Sequence, residues 1–151
     1  MSSHSYAQVR KLCHILPDEM LPGIENVAQK YAISITSDVM KTMELYDPER
    51  DPIARQYIPD VRELENTEIE TKDPIGDHVH EAVKGLVHRY ADRVLFKVTP
   101  LCAVYCRFCF RREMVGPENE LLDDTDIKRA ISYIAEHPEI REVILSGGDP
   151  L

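Results

Sequence analysis

The rhythm of apolar and polar positions changes twice along the chain. From residue 94, "VLFKVT" is a short, apolar, β-branched run that closes at Thr99-Pro100, the pattern of a buried strand. Further on, "LLDDTDIKRAISYIAEHPEI" puts Ile127, Ala130, Ile131, Ile134 and Ala135 on one helical stripe. Asp124 or Thr125 is placed to cap its start, and Pro138 stops it. "REVILS" reads as a second strand and "GGDP" as its exit turn. Strand, loop, helix and strand with a long crossover predict a parallel βαβ unit. Before residue 94 the pattern differs. Residues 1 to about 46 read as short helices. Pro17, Pro22 and Gly23 punctuate one turn-rich piece; then Thr36 or Ser37 offers an N-cap for Val39, Met40, Met43 and Tyr46 at helical spacing. Those methionines read as core. From "DPERDPIARQYIPD" to "KDPIGDHVHE" periodicity is absent, and the segment reads as an extended wrap with turns at its Asp-Pro pairs. The expected class is α/β, with a helical region at 1–46, a wrap at 47–93, and the first βαβ unit of a barrel-like sheet at 94–151.

Composition narrows the partners. The 151 residues are 43% hydrophobic and 30% charged, ordinary for a soluble domain. A formal net charge of -9 argues against non-specific binding to nucleic acid or an anionic membrane. No apolar run reaches the roughly 18 to 20 residues of a membrane span, and "MSSHSYAQVRKLCHILPDE" has no signal core, so the cytoplasm is the expected location.

The candidate chemistry sits in "LCAVYCRFCFRR", where Cys102-x3-Cys106-x2-Cys109 brings three thiols into eight residues while Cys13 stands alone. In a reducing compartment such a cluster points to metal or redox chemistry rather than disulfides. A cubane iron–sulfur cluster normally takes four thiolates, so three leave one iron open to a small molecule. A structural zinc would want a fourth ligand. Cys13, His88 and His137 are formal candidates that no spacing singles out, and a small zinc-binding interaction module is the competing reading. Ligands of parallel α/β sheets gather at the carboxyl ends of the strands. The cysteine loop and "GGD" are both expected at that edge.

With that strand before it and "SGGDPL" after the second strand, the triplet resembles the radical S-adenosylmethionine superfamily. "DPIARQYIPD", "DPIGD", "GLVHRYADRVLFKVT", "CAVYCRFCFRR" and "HPEIREVILSGGDPL" look like the lysine 2,3-aminomutase family, collinearly from about residue 47 onward. The resemblance implies a [4Fe-4S] cluster on Cys102, Cys106 and Cys109, whose open iron holds S-adenosylmethionine for one-electron cleavage to a 5′-deoxyadenosyl radical. It puts Phe108 near the adenosyl part, and Gly147, Gly148 and Asp149 at the methionyl end. It also implies pyridoxal phosphate, with Arg89, Tyr90 and Arg93 at its phosphate, and Arg111 at the carboxylate of a small amino-acid substrate, lysine favoured. The implied reaction moves an amino group from Cα to Cβ of the substrate. An external one-electron donor would supply the cluster.

Against the family pattern the chain looks short. The lysine that would bind pyridoxal phosphate and the carboxylates that would read the substrate's distal amine find no match here, so no catalytic residue is assigned. The expectation is an N-terminal, truncated portion of a partial (β/α) barrel, with only two parallel strands and an exposed edge. A lysine on elongation factor P or glutamate are alternative substrates, and an inactive remnant is a further alternative. Any homo-oligomer would belong to the full-length protein.

Overall fold

The computed structural model describes residues 9–12, 14–65 and 69–151. Cys13, one of the formal zinc-ligand candidates, lies outside the described residues. Residues 9–12 are helical. A 3-10 turn at Asp18–Met20 leads directly into α1, Leu21–Lys30. Pro22 and Gly23 do not break this segment, as the punctuation suggested. Pro22 occupies the first turn of α1, where a missing N–H costs nothing. Thr36 caps the short α2, Ser37–Met40, its hydroxyl accepting from the Val39 N–H at 3.4 Å. Met43 is buried and Met40 packs against the same core, but Tyr46 is 99% exposed, because α2 ends before the stripe could reach it. Ile24, Ala28, Ile33, Ile35 and Met43 form one core with Ala54 and Ile58.

The first part of the wrap, residues 47–64, is built from short capped turns. Asp51 accepts from the N–H groups of Ile53 and Ala54, opening α3, Ala54–Tyr57. Asp60 and Glu63 form a reciprocal capping box around the 3-10 turn Val61–Leu64.

Among the described residues the sheet has four strands, the two expected parallel ones and two antiparallel ones before them: β1 (Glu81–Val83), β2 (Leu86–Tyr90), β3 (Arg93–Thr99) and β4 (Glu142–Gly147), in that spatial order. β1, β2 and β3 form an antiparallel meander, and β4 runs parallel to β3. β1 and β2 escaped the sequence reading because both are short and "HRYADR" reads as a solvated run. β2 covers the edge of β3 that a two-stranded unit would have left open. The sheet remains open at β4, where Val143, Ile144 and Leu145 are 41%, 42% and 58% exposed.

The crossover helix α4 spans Asp124–Glu136. Its cap is Asp123, one residue before the expected pair, and Asp123 and Asp126 satisfy each other's backbone N–H groups. Leu86, Val94, Phe96 and Ala130 make the second core, with Tyr133 and Ile134 packed on it. The expected stripe is rotated. Ile127 and Ile131 are exposed, since the sheet under α4 reaches only Ala130, Tyr133 and Ile134.

Asp126 also accepts from Lys84 Nζ at 2.8 Å, tying α4 to the β1–β2 turn. That hydrogen bond, with the Lys84 charge and the Asp123 N–H, holds its carboxyl below the usual carboxylate range. A depressed folded-state pKa stabilises the fold fully above the unfolded value, and the gain is lost as pH falls through the folded value. Asp126→Asn is therefore expected to melt lower than the parent at pH 7. The gap should close as pH falls below the usual carboxylate range, and a gap independent of pH in thermal melts would contradict this.

Candidate radical-cofactor site

Thr99 ends β3, and the next residues turn sharply into the cysteine loop. Gly148 N–H donates to the Thr99 carbonyl at 2.6 Å, and Asp149 N–H donates to the Leu101 carbonyl at 2.8 Å. The exit of β4 is thus stitched to the entry of the cysteine loop, at the carboxyl edge of the two parallel strands. This closeness dictates the glycines. A Cβ on Gly148 would overlap the Leu101 carbonyl oxygen, and one on Gly147 would overlap that of Thr99. Gly147 also sits at φ 119°, a backbone that side chains disfavour.

The loop is held from below by segments distant in sequence. Tyr105 N–H donates to the Ser34 carbonyl at 3.0 Å, and Ser34 Oγ returns a hydrogen bond to the Ala103 carbonyl at 2.9 Å. Arg107 N–H donates to the Gln56 carbonyl at 2.7 Å. The Arg107 guanidinium forks onto Glu63 at 2.9 and 2.6 Å and donates to the Ala32 carbonyl at 2.9 Å. Both side chains of that pair are nearly buried, 8% and 11% exposed. Tyr31 O–H donates to Glu113 at 3.2 Å, and the Arg112 guanidinium lies 4.7 Å from the Tyr31 ring centre. The helical region and the wrap together form a platform for the loop. Sequence reading missed Glu63, Ser34 and Tyr31 as platform residues. Only Glu63 left a trace, as the last position of an Asp-x-x-Glu cap.

Cys102, Cys106 and Cys109 are free, half-buried thiols. Burial pushes the Cys102 thiol up, and the charges of Cys109, Asp149 and Cys106 add to it. Burial also raises Cys106, with Cys109 beside it. Thiols that oppose each other's ionisation suit a cationic group that would take the place of their protons. Among the described residues, no three His, Cys, Asp or Glu side chains converge as a single ion would require. Three half-buried thiols on one loop are the donor set of a cubane cluster that keeps one iron open, whereas a structural zinc would want a fourth ligand. His88 and His137 are not drawn to the thiols. They pack around Tyr133 on the helix side of the sheet, with His88 Nδ1 and Tyr133 Oη 2.8 Å apart and the Tyr133 and His137 rings stacked at 3.9 Å.

Phe108 is 70% exposed on the loop. On the sheet face opposite α4, a cavity of about 270 Å³ is lined by Lys97, Thr99, Glu81, Arg111 and Gly147 among others. Arg111 Nη1 donates to Ser146 Oγ at 3.3 Å, and Lys97 pairs with Glu81 at 3.2 Å. Arg89, Tyr90 and Arg93 gather at the β2–β3 hairpin, where a register shift sets Tyr90 opposite Arg93. Arg89 donates to the Ile75 carbonyl and lies 3.9 Å from Asp77, while Arg93 pairs with Asp92 and Glu142. Tyr90 is exposed. No helix among the described residues is long and apolar enough to cross a membrane.

Residues 96–151 match the model of the radical SAM superfamily. The chain is 36% identical over 136 residues to the L-lysine 2,3-aminomutase of Fusobacterium nucleatum subsp. nucleatum, covering 90% of this chain and 32% of that protein. It is 36% identical to the enzyme of that name from Bacillus subtilis over 143 residues, 95% of this chain and 30% of that one. With that of Escherichia coli it shares 34% over 144 residues, covering 95% and 41%. The chain spans about a third of the length of the curated relatives it matches. With the cysteine loop and the glycine turn at one sheet edge, these matches establish that the chain belongs to the radical S-adenosylmethionine superfamily, in the family of the lysine 2,3-aminomutases.

Proposed function

We propose that this chain carries the cofactor-cleaving part of an amino-acid 2,3-aminomutase, acting on lysine or a similar amino acid in the cytoplasm. The observation that carries the reading is the stitched junction of Thr99 and Leu101 with Gly148 and Asp149, beside three free thiols. Cys102, Cys106 and Cys109 would hold a [4Fe-4S] cluster. When bound, the cluster and pyridoxal phosphate supply, respectively, the electron that cleaves S-adenosylmethionine and a carbonyl that binds the substrate amine.

The chain's own residues bind and orient. Gly147 and Gly148 leave the backbone open to close approach by the methionyl end of S-adenosylmethionine, and the Asp149 carboxylate suits its ammonium. Phe108 offers an exposed aromatic face to the adenosyl part. Arg89, Tyr90 and Arg93 offer guanidinium and hydroxyl donors to a phosphate. Arg111 offers its fork to the substrate carboxylate. The platform beneath the loop excludes water from one side of the thiols. An external one-electron donor would approach the exposed side of the loop.

Anaerobic reconstitution with iron and sulfide tests the reading. The expected product is a brown protein with about four irons per chain, which with dithionite converts S-adenosylmethionine to 5′-deoxyadenosine. Cys102→Ala, Cys106→Ala and Cys109→Ala should each abolish the product. A colourless protein holding one zinc would replace this reading with that of a zinc-binding interaction module.

A further inference from the structure

Asp77 closes the "DPIGD" stretch and was given no role above, yet this acidic residue is among the most deeply buried, 2% exposed. Its Oδ2 accepts from Arg111 Nε at 3.1 Å, and its Oδ1 lies 3.9 Å from Arg89 Nη2. The turn that carries it is itself fixed: the N–H groups of Asp77 and His78 both donate to the Asp73 carboxylate at 2.8 Å. Arg89 also grips this turn through the Ile75 carbonyl. One buried carboxylate therefore faces two guanidiniums, one from β2 and one from the cysteine loop.

We propose that Asp77 is a positioning residue that fixes the Arg111 guanidinium for an incoming carboxylate; the proposal rests on the reading of Arg111 given above. A free arginine side chain samples many rotamers, and ordering it on binding costs affinity. Here Arg111 is held from two directions. Nε is held by Asp77 and Nη1 by Ser146 of β4, and the side chain is 12% exposed. Of the five N–H donors of a guanidinium, these two bonds leave three for other partners, and Arg111 lines the cavity beside Lys97 and Gly147.

The test is nitrogen-15 NMR on the whole 151-residue chain. The Arg111 Nε–H resonance is identified by its loss in Arg111→Lys. It should exchange with solvent far more slowly than the Nε–H of Arg50, whose side chain is 89% exposed. Asp77→Asn should lose that protection and weaken the binding of L-lysine, followed by the same resonances, about tenfold. Solvent-rate exchange of Arg111 Nε–H in the parent overturns the proposal by itself, even if Asp77→Asn fails to fold. So does an unchanged lysine affinity in a folded Asp77→Asn. A protected Nε–H in a parent chain that binds no lysine overturns the carboxylate role of Arg111 and the proposal with it. None of these readouts involves iron, so failure to assemble a cluster would strike the proposed function and leave this result standing.

Discussion

Gly148→Ala is expected to separate cluster assembly from cofactor binding. The added methyl would overlap the Leu101 carbonyl oxygen, which belongs to the backbone and cannot swing aside as a side chain could. Either the β4 exit or the entry of the cysteine loop must move, and the hydrogen bonds from Gly148 to Thr99 and from Asp149 to Leu101 lengthen or break. Overpacking of this kind costs about 3 kcal/mol. The three cysteines keep their platform contacts, so iron content should stay near that of the parent. Affinity for S-adenosylmethionine, measured by calorimetry on the reconstituted protein, should fall at least about tenfold, since the displaced edge is where the methionyl end would lie. Unchanged affinity with unchanged iron would refute the junction as a binding element. Gly147→Ala should be worse, because it adds a disfavoured φ of 119° to a similar overlap.

Glu63→Gln is expected to be the most damaging change outside the loop. It removes the charge facing Arg107 while leaving that guanidinium nearly buried. Breaking a buried pair by removing one partner costs about 3–5 kcal/mol, several times the value of an exposed pair. The same carboxylate caps the Val61–Leu64 turn through the Asp60 N–H at 3.0 Å, a bond that the amide oxygen of glutamine can still accept. The loss thus reports the ion pair. Replacing both Glu63 and Arg107 with methionine should recover part of it, because no lone charge is then left inside. Urea unfolding of the single and double variants decides the matter. A cost below about 1 kcal/mol for Glu63→Gln would mean that the pair acts as an exposed one and the platform does not depend on it.

The legibility of this chain in its sequence follows the range of the forces involved. The parallel β3–α4–β4 unit was readable because each element carries its own apolar pattern, as in "VLFKVT" and "REVILS". The cysteine spacing and the glycine turn stand out in the sequence because a motif of fixed residue types at fixed spacing needs no tertiary context to be seen. Strands β1 and β2 were not, because Leu86 and Val87 are the only consecutive buried residues there and the hairpin gains its apolar cover from α4. The apolar stripe of α4 was legible as a helix but not as a face. Which isoleucines are buried depends on the width of the sheet beneath, and that is a tertiary quantity. Asp77 and Glu63 looked like ordinary acidic residues in an acidic stretch. Their partners Arg111 and Arg107 lie 34 and 44 positions away, and nothing local marks the pairing.

The platform under the cysteine loop also sets an order of events during synthesis. Ser34 meets Ala103 across 69 positions, Ala32 meets Arg107 across 75, and Glu63 meets Arg107 across 44. At a translation rate of roughly 5–20 residues per second, residues 32–34 precede their loop partners by several seconds. The N-terminal core can therefore form before the cysteine loop emerges. Closing such long loops is entropically slow, so the three thiols reach their places late. Until then they are reactive sulfur on an unfixed strand of chain, open to oxidation. How many of these thiols stay reduced thus depends on how quickly residues 32–63 capture the loop.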